Sequence, residues 1–302
     1  MVIIKESPAI VEEVFYELKD EPYGINLLKA KEVWDASKKG EGIVIAVIDT
    51  GCCTNHPDLK DNIIGGYNFT NDDYGDTYVF EDYRGHGTHV AGIIASKSNG
   101  IAPKSKLLVL KTFDIHGTGN CENVIRAIKY AVDWVGPSGE KVSIINMSIV
   151  GAVHSEYLYK VIREAREKGV LFVIATGNEG NVSSNTVVDY YPGLYQEVIQ
   201  VGAINQSRKA LLYSNTIINL DFLAPGNGIV STFLGGNYAK MTGTSMAAPF
   251  VSGAFALVLN MVSSQTDNAV VSSYLAYSYL KIYAKKLGFS YLEEGSGLIQ
   301  LI

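Results

Sequence analysis

Three short segments carry side chains that together could perform nucleophilic acyl transfer. The first is the apolar run Val44-Ile45-Ala46-Val47-Ile48, which ends in Asp49-Thr50-Gly51. The second, Gly85-His86-Gly87-Thr88-His89-Val90-Ala91-Gly92, sets a histidine at the head of a small-residue helix. The third, Gly243-Thr244-Ser245-Met246-Ala247-Ala248-Pro249, sets a serine at another helix start. A serine hydroxyl is a weak nucleophile until an adjacent base takes its proton, and a histidine oriented by a carboxylate is such a base. Small residues around His86 and Ser245 let backbone and substrate approach closely. Each segment alone has a plain alternative: strands ending in Asp-Thr-Gly are common, and Gly-His-Gly can be a structural turn. All three in the order Asp, His, Ser are far more specific. His89 reads as a helix residue packed near the site rather than a second base, and His56, His116 and His154 as surface or structural residues.

The elements that must hold these residues are legible as alternating runs. Strands are predicted at Ile43–Ile48, Leu107–Lys111, Val142–Met147, Val170–Ala175 and Val198–Ile204. Helices are predicted at Glu122–Trp134, where apolar residues recur at helical spacing, and at Glu156–Lys168, stopped by Gly169. A further helix from Thr244 to about Val262 is apolar nearly all round, as a buried helix is, and a last one spans roughly Asp267–Lys286. Strands apolar on both faces and alternating with helices imply an α/β fold: a mostly parallel, twisted sheet with helices on both faces. Asp49 then falls at the carboxyl end of a strand, where α/β active sites form. No linker or repeat divides the chain, so a single domain is expected, preceded by an N-terminal arm.

Composition narrows the class of function. The chain has 302 residues, is 47% hydrophobic and carries a net charge of −6, with a pI near 5.4. That is too apolar for disorder and lacks the basic footprint of a nucleic-acid partner. Cys52, Cys53 and Cys121 are odd in number, and two are adjacent. A bridge to Cys121 is open to either neighbour, but buried free thiols in a reducing compartment fit the count better. The N-terminus breaks after Ile4 into Lys5-Glu6-Ser7-Pro8, unlike a secretory signal with its run of about 7–15 apolar residues. No stretch reads as a membrane span, so a cytoplasmic location and no membrane partner are expected.

Taken together the motifs resemble the subtilisin-like serine proteases, and the resemblance runs from Pro22-Tyr23-Gly24 to Gly295-Ser296-Gly297-Leu298-Ile299, more than nine-tenths of the chain. It includes Asn55-His56-Pro57-Asp58-Leu59, Asn146-Met147-Ser148, Ala175-Thr176-Gly177-Asn178-Glu179-Gly180, Tyr191-Pro192 and Ala224-Pro225-Gly226. It implies one subtilisin-like domain over residues 21–302, with Asp49 as orienter, His86 as general base then acid, and Ser245 as nucleophile. It also implies Asn178 as side-chain donor of the oxyanion hole beside the Ser245 N–H, with Thr244 behind it. On residues alone, Asn178 could equally be a turn asparagine. No cofactor is required for such chemistry, and the partner implied is a polypeptide substrate.

Asp61–Thr70 and Ala127–Trp134 are most similar to the intracellular subtilisins. That branch carries a short N-terminal arm that blocks the active site, so residues 1–20 are expected to form one. Val2-Ile3-Ile4 would lie in the cleft as an extended strand, where Pro8 disfavours correct presentation of a peptide bond; a docked, non-inhibitory arm is the competing reading. The branch also implies a homodimer. Ser148-Ile149-Val150-Gly151 should form the edge that pairs with substrate backbone, and Val150, where the family usually has Gly, should narrow the cleft. Gly177 is expected to line the substrate path. The first-pocket base should lie near Asp189-Tyr190-Tyr191. Glu179 and Asp189 would favour a basic residue before the cut, or Tyr190 would fill the pocket instead. The family's calcium loop is shortened to Ser96–Ile101, which leaves Asp58 without the partners that a cation seeking six to eight oxygens needs. Asp72, Asp73 and Asp76 are the alternative carboxylates, against the simpler reading of a solvated acidic loop. Phe250 stands where a His is common and reads as a packing change.

Intracellular protein turnover or processing is therefore the expected function. The alternative is a dedicated leader-peptide protease for a modified peptide such as a lantibiotic. An inactive fold kept for binding would not retain Asp49, His86, Ser245 and Asn178. A nucleotide-binding reading fails for want of a Gly-rich phosphate loop.

Overall fold

A computed structural model describes residues 3–6, 9–18, 22–178, 190–211 and 219–302. In chain order its strands are β1 (Ile3–Glu6), β2 (Ile10–Phe15), β3 (Val44–Asp49), β4 (Ile63–Asn68), β5 (Lys106–Lys111), β6 (Thr118–Asn120), β7 (Val142–Met147), β8 (Ile149–Val150), β9 (Leu171–Ala175), β10 (Ile199–Ile204), β11 (Leu220–Pro225), β12 (Ile229–Thr232) and β13 (Tyr238–Thr242). The helices are α1 (Tyr23–Leu28), α2 (Ala30–Val33), α3 (His86–Ala95), α4 (Cys121–Asp133), α5 (Glu156–Glu167), α6 (Thr244–Val262), α7 (Ala269–Tyr283) and α8 (Tyr291–Glu294). The strands and helices expected from the alternating runs are all present.

The centre is a seven-stranded parallel sheet of order β11-β10-β9-β7-β3-β5-β4. Successive strand residues face opposite sides, so each strand feeds two cores. Val44, Ala46 and Ile48 of β3 pack with Val124 and Ile128 of α4 and Leu158 and Ile162 of α5. Ile45 and Val47 pack on the other side with Val90 and Ile94 of α3 and Val251 and Phe255 of α6. This two-sided burial is why β3 reads as an unbroken apolar run. The Asn120 and Ser155 side chains cap the starts of α4 and α5, meeting backbone N–H groups that a helix leaves unsatisfied.

The buried helix expected from Thr244 to about Val262 is α6. The 19-residue α6 is long and apolar enough by length and composition to span a membrane, but 89% of its most apolar window is buried in the fold. It is apolar all round because protein surrounds it all round. Phe250 is among its buried residues, and an added Cβ on Gly24 would sit 2.3 Å from the Phe250 ring.

Two small antiparallel sheets flank the main one. β1 lies between β6 and β8, and β2 adds to the β12–β13 hairpin. Because the main strands are parallel, their carboxyl ends share one edge. Asp49 pairs in register with Lys111, and Ile48 with Met147. Ser148 follows β7, and Thr176-Gly177-Asn178 follows β9 at that same edge.

Candidate active site

Asp49 ends β3 and is 1% exposed, and His86 opens α3 and is 5% exposed. His86 Nδ1 lies 2.7 Å from Asp49 Oδ1, and the Thr50 N–H donates to the same oxygen at 2.8 Å. The carboxylate thus fixes the ring with Nδ1–H toward it, leaving Nε2 as the basic nitrogen. Two glycines allow this approach. Gly85 has φ +87°, and a Cβ there would sit 2.1 Å from the Phe233 ring; at Gly87 it would sit 2.2 Å from the Gly51 carbonyl oxygen.

Ser245 is the second residue of α6, fully buried, and α6 packs along α3. The first-turn N–H groups of a helix precede its hydrogen-bond ladder and carry the positive end of its dipole. Ser148 Oγ donates to the Ser245 carbonyl at 3.3 Å, tying the start of α6 to the end of β7. Asn178 Oδ1 accepts from the Thr244 N–H at 2.8 Å. With its carbonyl end held there, the amide presents its NH2 on the other side. Thr244 Oγ1 in turn accepts from the Gly177 N–H at 3.1 Å, so Thr244 braces both residues of the turn.

The other expected substrate residues fall into two groups. Ile149 and Val150 form β8, both buried, with β1 paired against them (Glu6 opposite Ile149, Lys5 opposite Val150). Tyr190 is half-buried and precedes Tyr191, which exchanges two backbone hydrogen bonds of 2.8 Å with Gly151. Glu179 and Asp189 lie outside the described residues, as does Val2 of the arm.

The carboxylates considered for calcium have other partners. Asp58 Oδ1 accepts from the Ser98 N–H and hydroxyl, each at 2.9 Å. Asp72 Oδ2 lies 3.1 Å from the Lys111 ammonium. Asp73 Oδ1 accepts from the Tyr83 hydroxyl at 2.6 Å, and Asp76 Oδ1 from the Tyr78 N–H at 2.9 Å. Among the described residues no three His, Cys, Asp or Glu side chains converge as a ligand set. The Lys111 ammonium thus already neutralises one carboxylate of the 71–76 loop.

Cys52, Cys53 and Cys121 are free and buried. Burial, with Asp82 next in effect, pushes the Cys52 thiol well up, which keeps it from the thiolate form that reacts. His89 is fully buried in α3, with Nε2 3.0 Å from the Ile229 carbonyl and 3.1 Å from the Ala239 carbonyl. Nε2 therefore carries the proton, and the ring ties α3 to β12 and β13. Burial pushes its pKa down from 6.5 to about 3. The unfolded chain then takes up a proton below pH 6.5 that the folded one refuses. Stability should fall as pH drops from about 6.5 toward 3, by up to about 1.4 kcal/mol per unit. Urea unfolding at stepped pH measures this. His89→Gln, which keeps an N–H donor without titrating, should flatten that part of the slope; identical slopes would reject the assignment.

The sequence reading missed two buried charged groups beside the site. Asp82, four residues before His86, is 3% exposed and accepts from both Thr50 and Thr88. Lys111 is fully buried at the end of β5, and its ammonium donates to the Thr50 carbonyl at 2.8 Å. A carboxylate just upstream of a Gly-His helix start was the available signal for the first.

Comparison with known proteins places this arrangement. The profile of the subtilase family matches residues 40–282. An intracellular serine protease of Paenibacillus polymyxa is 41% identical, over 94% of this chain and 86% of its own length. The major intracellular serine protease of Bacillus subtilis (strain 168) is 44% identical, over 84% of this chain and 80% of its own. Subtilisin E of the same strain is 36% identical, over 99% of this chain and 76% of its own. The leader-peptidase alternative is not favoured by these likenesses. Subtilases need no cofactor for catalysis, although some bind calcium. With that match covering most of its length, the chain belongs to the subtilase family and is a serine endopeptidase (EC 3.4.21) acting on polypeptides.

Proposed function

We propose that the protein cleaves polypeptides in the cytoplasm, in turnover or processing, through an acyl-enzyme on Ser245. The observation that carries this is the 2.7 Å His86–Asp49 bond at the carboxyl edge of the sheet, beside the first turn of α6. His86 Nε2 takes the Ser245 hydroxyl proton as Oγ attacks the scissile carbonyl carbon. The carbonyl oxygen becomes an oxyanion, stabilised by the Asn178 NH2 and the Ser245 N–H. As the intermediate collapses, His86 gives its proton to the leaving amine. Water, activated by His86 in turn, then releases the acyl group. Asp49 holds the imidazolium throughout.

What supports a cytoplasmic site is that two relatives are named intracellular serine proteases. What supports residues 1–20 as an arm in the cleft is β1, which occupies the space between β6 and β8 as an added strand. Residues 21–302 are then the catalytic domain.

A serine-directed phosphonate tests the reading directly. Excess reagent should leave one adduct, on Ser245, by peptide mass mapping, and none on the Ser245→Ala protein; an adduct elsewhere, with full loss of activity, would sink it. Asn178→Ala should lower kcat by about 10²–10³ with KM nearly unchanged, since the donor meets charge that exists only in the transition state; the size is that known for the same kind of deletion in a subtilisin. Michaelis–Menten kinetics on a peptide anilide decide it, and a rise confined to KM would assign Asn178 to substrate binding instead.

A further inference from the structure

Asp82 is a buried charge that the mechanism does not use. Its carboxylate accepts from five donors. Oδ1 accepts from the Thr50 hydroxyl at 2.9 Å, the Arg84 N–H at 2.9 Å and the Gly85 N–H at 3.0 Å. Oδ2 accepts from the Thr88 N–H at 2.9 Å and the Thr88 hydroxyl at 2.7 Å. These donors come from two places, the residue after Asp49 and the residues on either side of His86. The carboxylate also meets the positive end of α3, where an anion is stabilised.

Thr50 links the two. Its hydroxyl donates to Asp82 and accepts from the Gly87 N–H at 2.9 Å. Its N–H donates to Asp49 Oδ1, the oxygen that also meets His86 Nδ1. Its carbonyl is held by the buried Lys111 ammonium at 2.8 Å. The contacts close a ring: Asp49, Thr50, Asp82, the first turn of α3, His86, and back to Asp49. The end of β3 and the start of α3 are therefore fixed to each other twice, once through the catalytic pair and once behind it.

We propose that Asp82, acting through the Thr50 hydroxyl, is a positioning residue that sets His86 and Asp49 in register for proton transfer. This rests on the reading of His86 as the base. The carboxylate suits the place because it offers acceptors on both oxygens to donors on both sides. An asparagine of the same shape must turn an NH2 toward N–H donors, so one side of the ring is broken or pushed away. The first turn of α3 then drifts relative to β3. A misplacement of about 1 Å at a reacting group can cost about 10²-fold in rate, whereas the substrate-pairing edge at β8 is untouched.

The test is steady-state kinetics on the whole chain with a peptide anilide, for Asp82→Asn, Thr50→Val and Thr50→Ser, and for Asp82→Asn in a His86→Ala background. Asp82→Asn should lower kcat by about 10- to 100-fold with KM within about twofold, the signature of lost alignment rather than lost binding. Thr50→Val, which keeps the shape and removes the hydroxyl, should act in the same direction, and Thr50→Ser should restore most of the rate. If Asp82→Asn does not fold, the Thr50 pair carries the same expectation. In the His86→Ala background Asp82→Asn should leave the residual rate unchanged, because no base remains to be positioned. An equal fall in both backgrounds would mean a merely structural role and would overturn the proposal. So would a change confined to KM, or a harmless Thr50→Val. If His86→Ala itself leaves kcat intact, the reading of His86 falls, and that outcome is distinct from any result at Asp82.

Discussion

Ser245→Ala should lower kcat by about 10⁶, the scale that loss of the nucleophile has in a subtilisin, and leave KM within a few-fold. The effect is large because, in the proposed mechanism, this hydroxyl forms the bond to the substrate. His86→Ala should cost about as much, and the double variant little more than either single one, because nucleophile and base act as a unit. What survives is the contribution of Asn178, the Ser245 N–H and the substrate-pairing edge, about 10³–10⁴ over the reaction in water. KM should hold because the pairing edge of β8 and the Ser148–Ser245 contact through the backbone carbonyl do not depend on the hydroxyl. Single-turnover and steady-state rates on a peptide anilide measure this. A Ser245→Ala protein that kept a percent of the wild-type kcat would end the acyl-enzyme reading.

The residues proposed as the triad were legible because they sit at positions that local sequence marks. Asp49 ends an apolar run, and His86 and Ser245 open helices among small residues. The parallel sheet was legible for a related reason: β3, β7 and β9 are buried on both faces and read as continuous apolar runs. Other elements left no such mark. β2 reads Ile-Val-Glu-Glu-Val-Phe and exposes side chains on both faces, so its strand character comes from pairing with β13, more than 200 residues away. β4 contains Gly65-Gly66, which weaken any strand signal. Asp82 had only its place four residues before His86 to mark it among 31 acidic residues, and its main link, the Thr50 hydroxyl, comes from 32 positions earlier. Lys111 ends an apolar run, where a lysine reads as the point at which the chain reaches water. Its ammonium is instead neutralised inside by Asp72. α6, by contrast, was legible as a buried helix because it is apolar nearly all round, and protein surrounds it all round.

Removing residues 1–8 should raise kcat/KM by about 10², through KM and with kcat unchanged. The sign follows from where β1 lies. It pairs with β6 on one side and β8 on the other, and its Ile4 is 2% exposed, in the cluster that holds Cys121, Val124, Ile149 and Leu158. If β8 is the edge that pairs with substrate backbone, as proposed, that strand competes with substrate rather than altering the chemistry. The size follows from tethering. A segment on a short linker competes at an effective concentration of about 1 mM, and the expected factor corresponds to a Kd of about 10 μM, or about −7 kcal/mol, for the untethered stretch. Their ratio is the factor by which apparent KM is raised in the intact chain. β2 makes the tether short, because it is latched to β13 along its length, with Glu12 3.2 Å from the Lys240 ammonium and accepting from the Thr242 hydroxyl. Pro8 lies between the two strands in sequence, and a proline there lacks the backbone N–H with which a bound peptide pairs, which disfavours cleavage of the arm at that point. Deleting through Glu17 separates latch from plug. It should add nothing further to kcat/KM, but it should lower the melting temperature, since β13 would lose its outer partner and expose an unpaired edge. Equal kcat/KM with and without residues 1–8 would show that β1 docks without inhibiting. A fall in melting temperature on deleting residues 1–8 alone, with no gain in kcat/KM, would make the arm a structural strand.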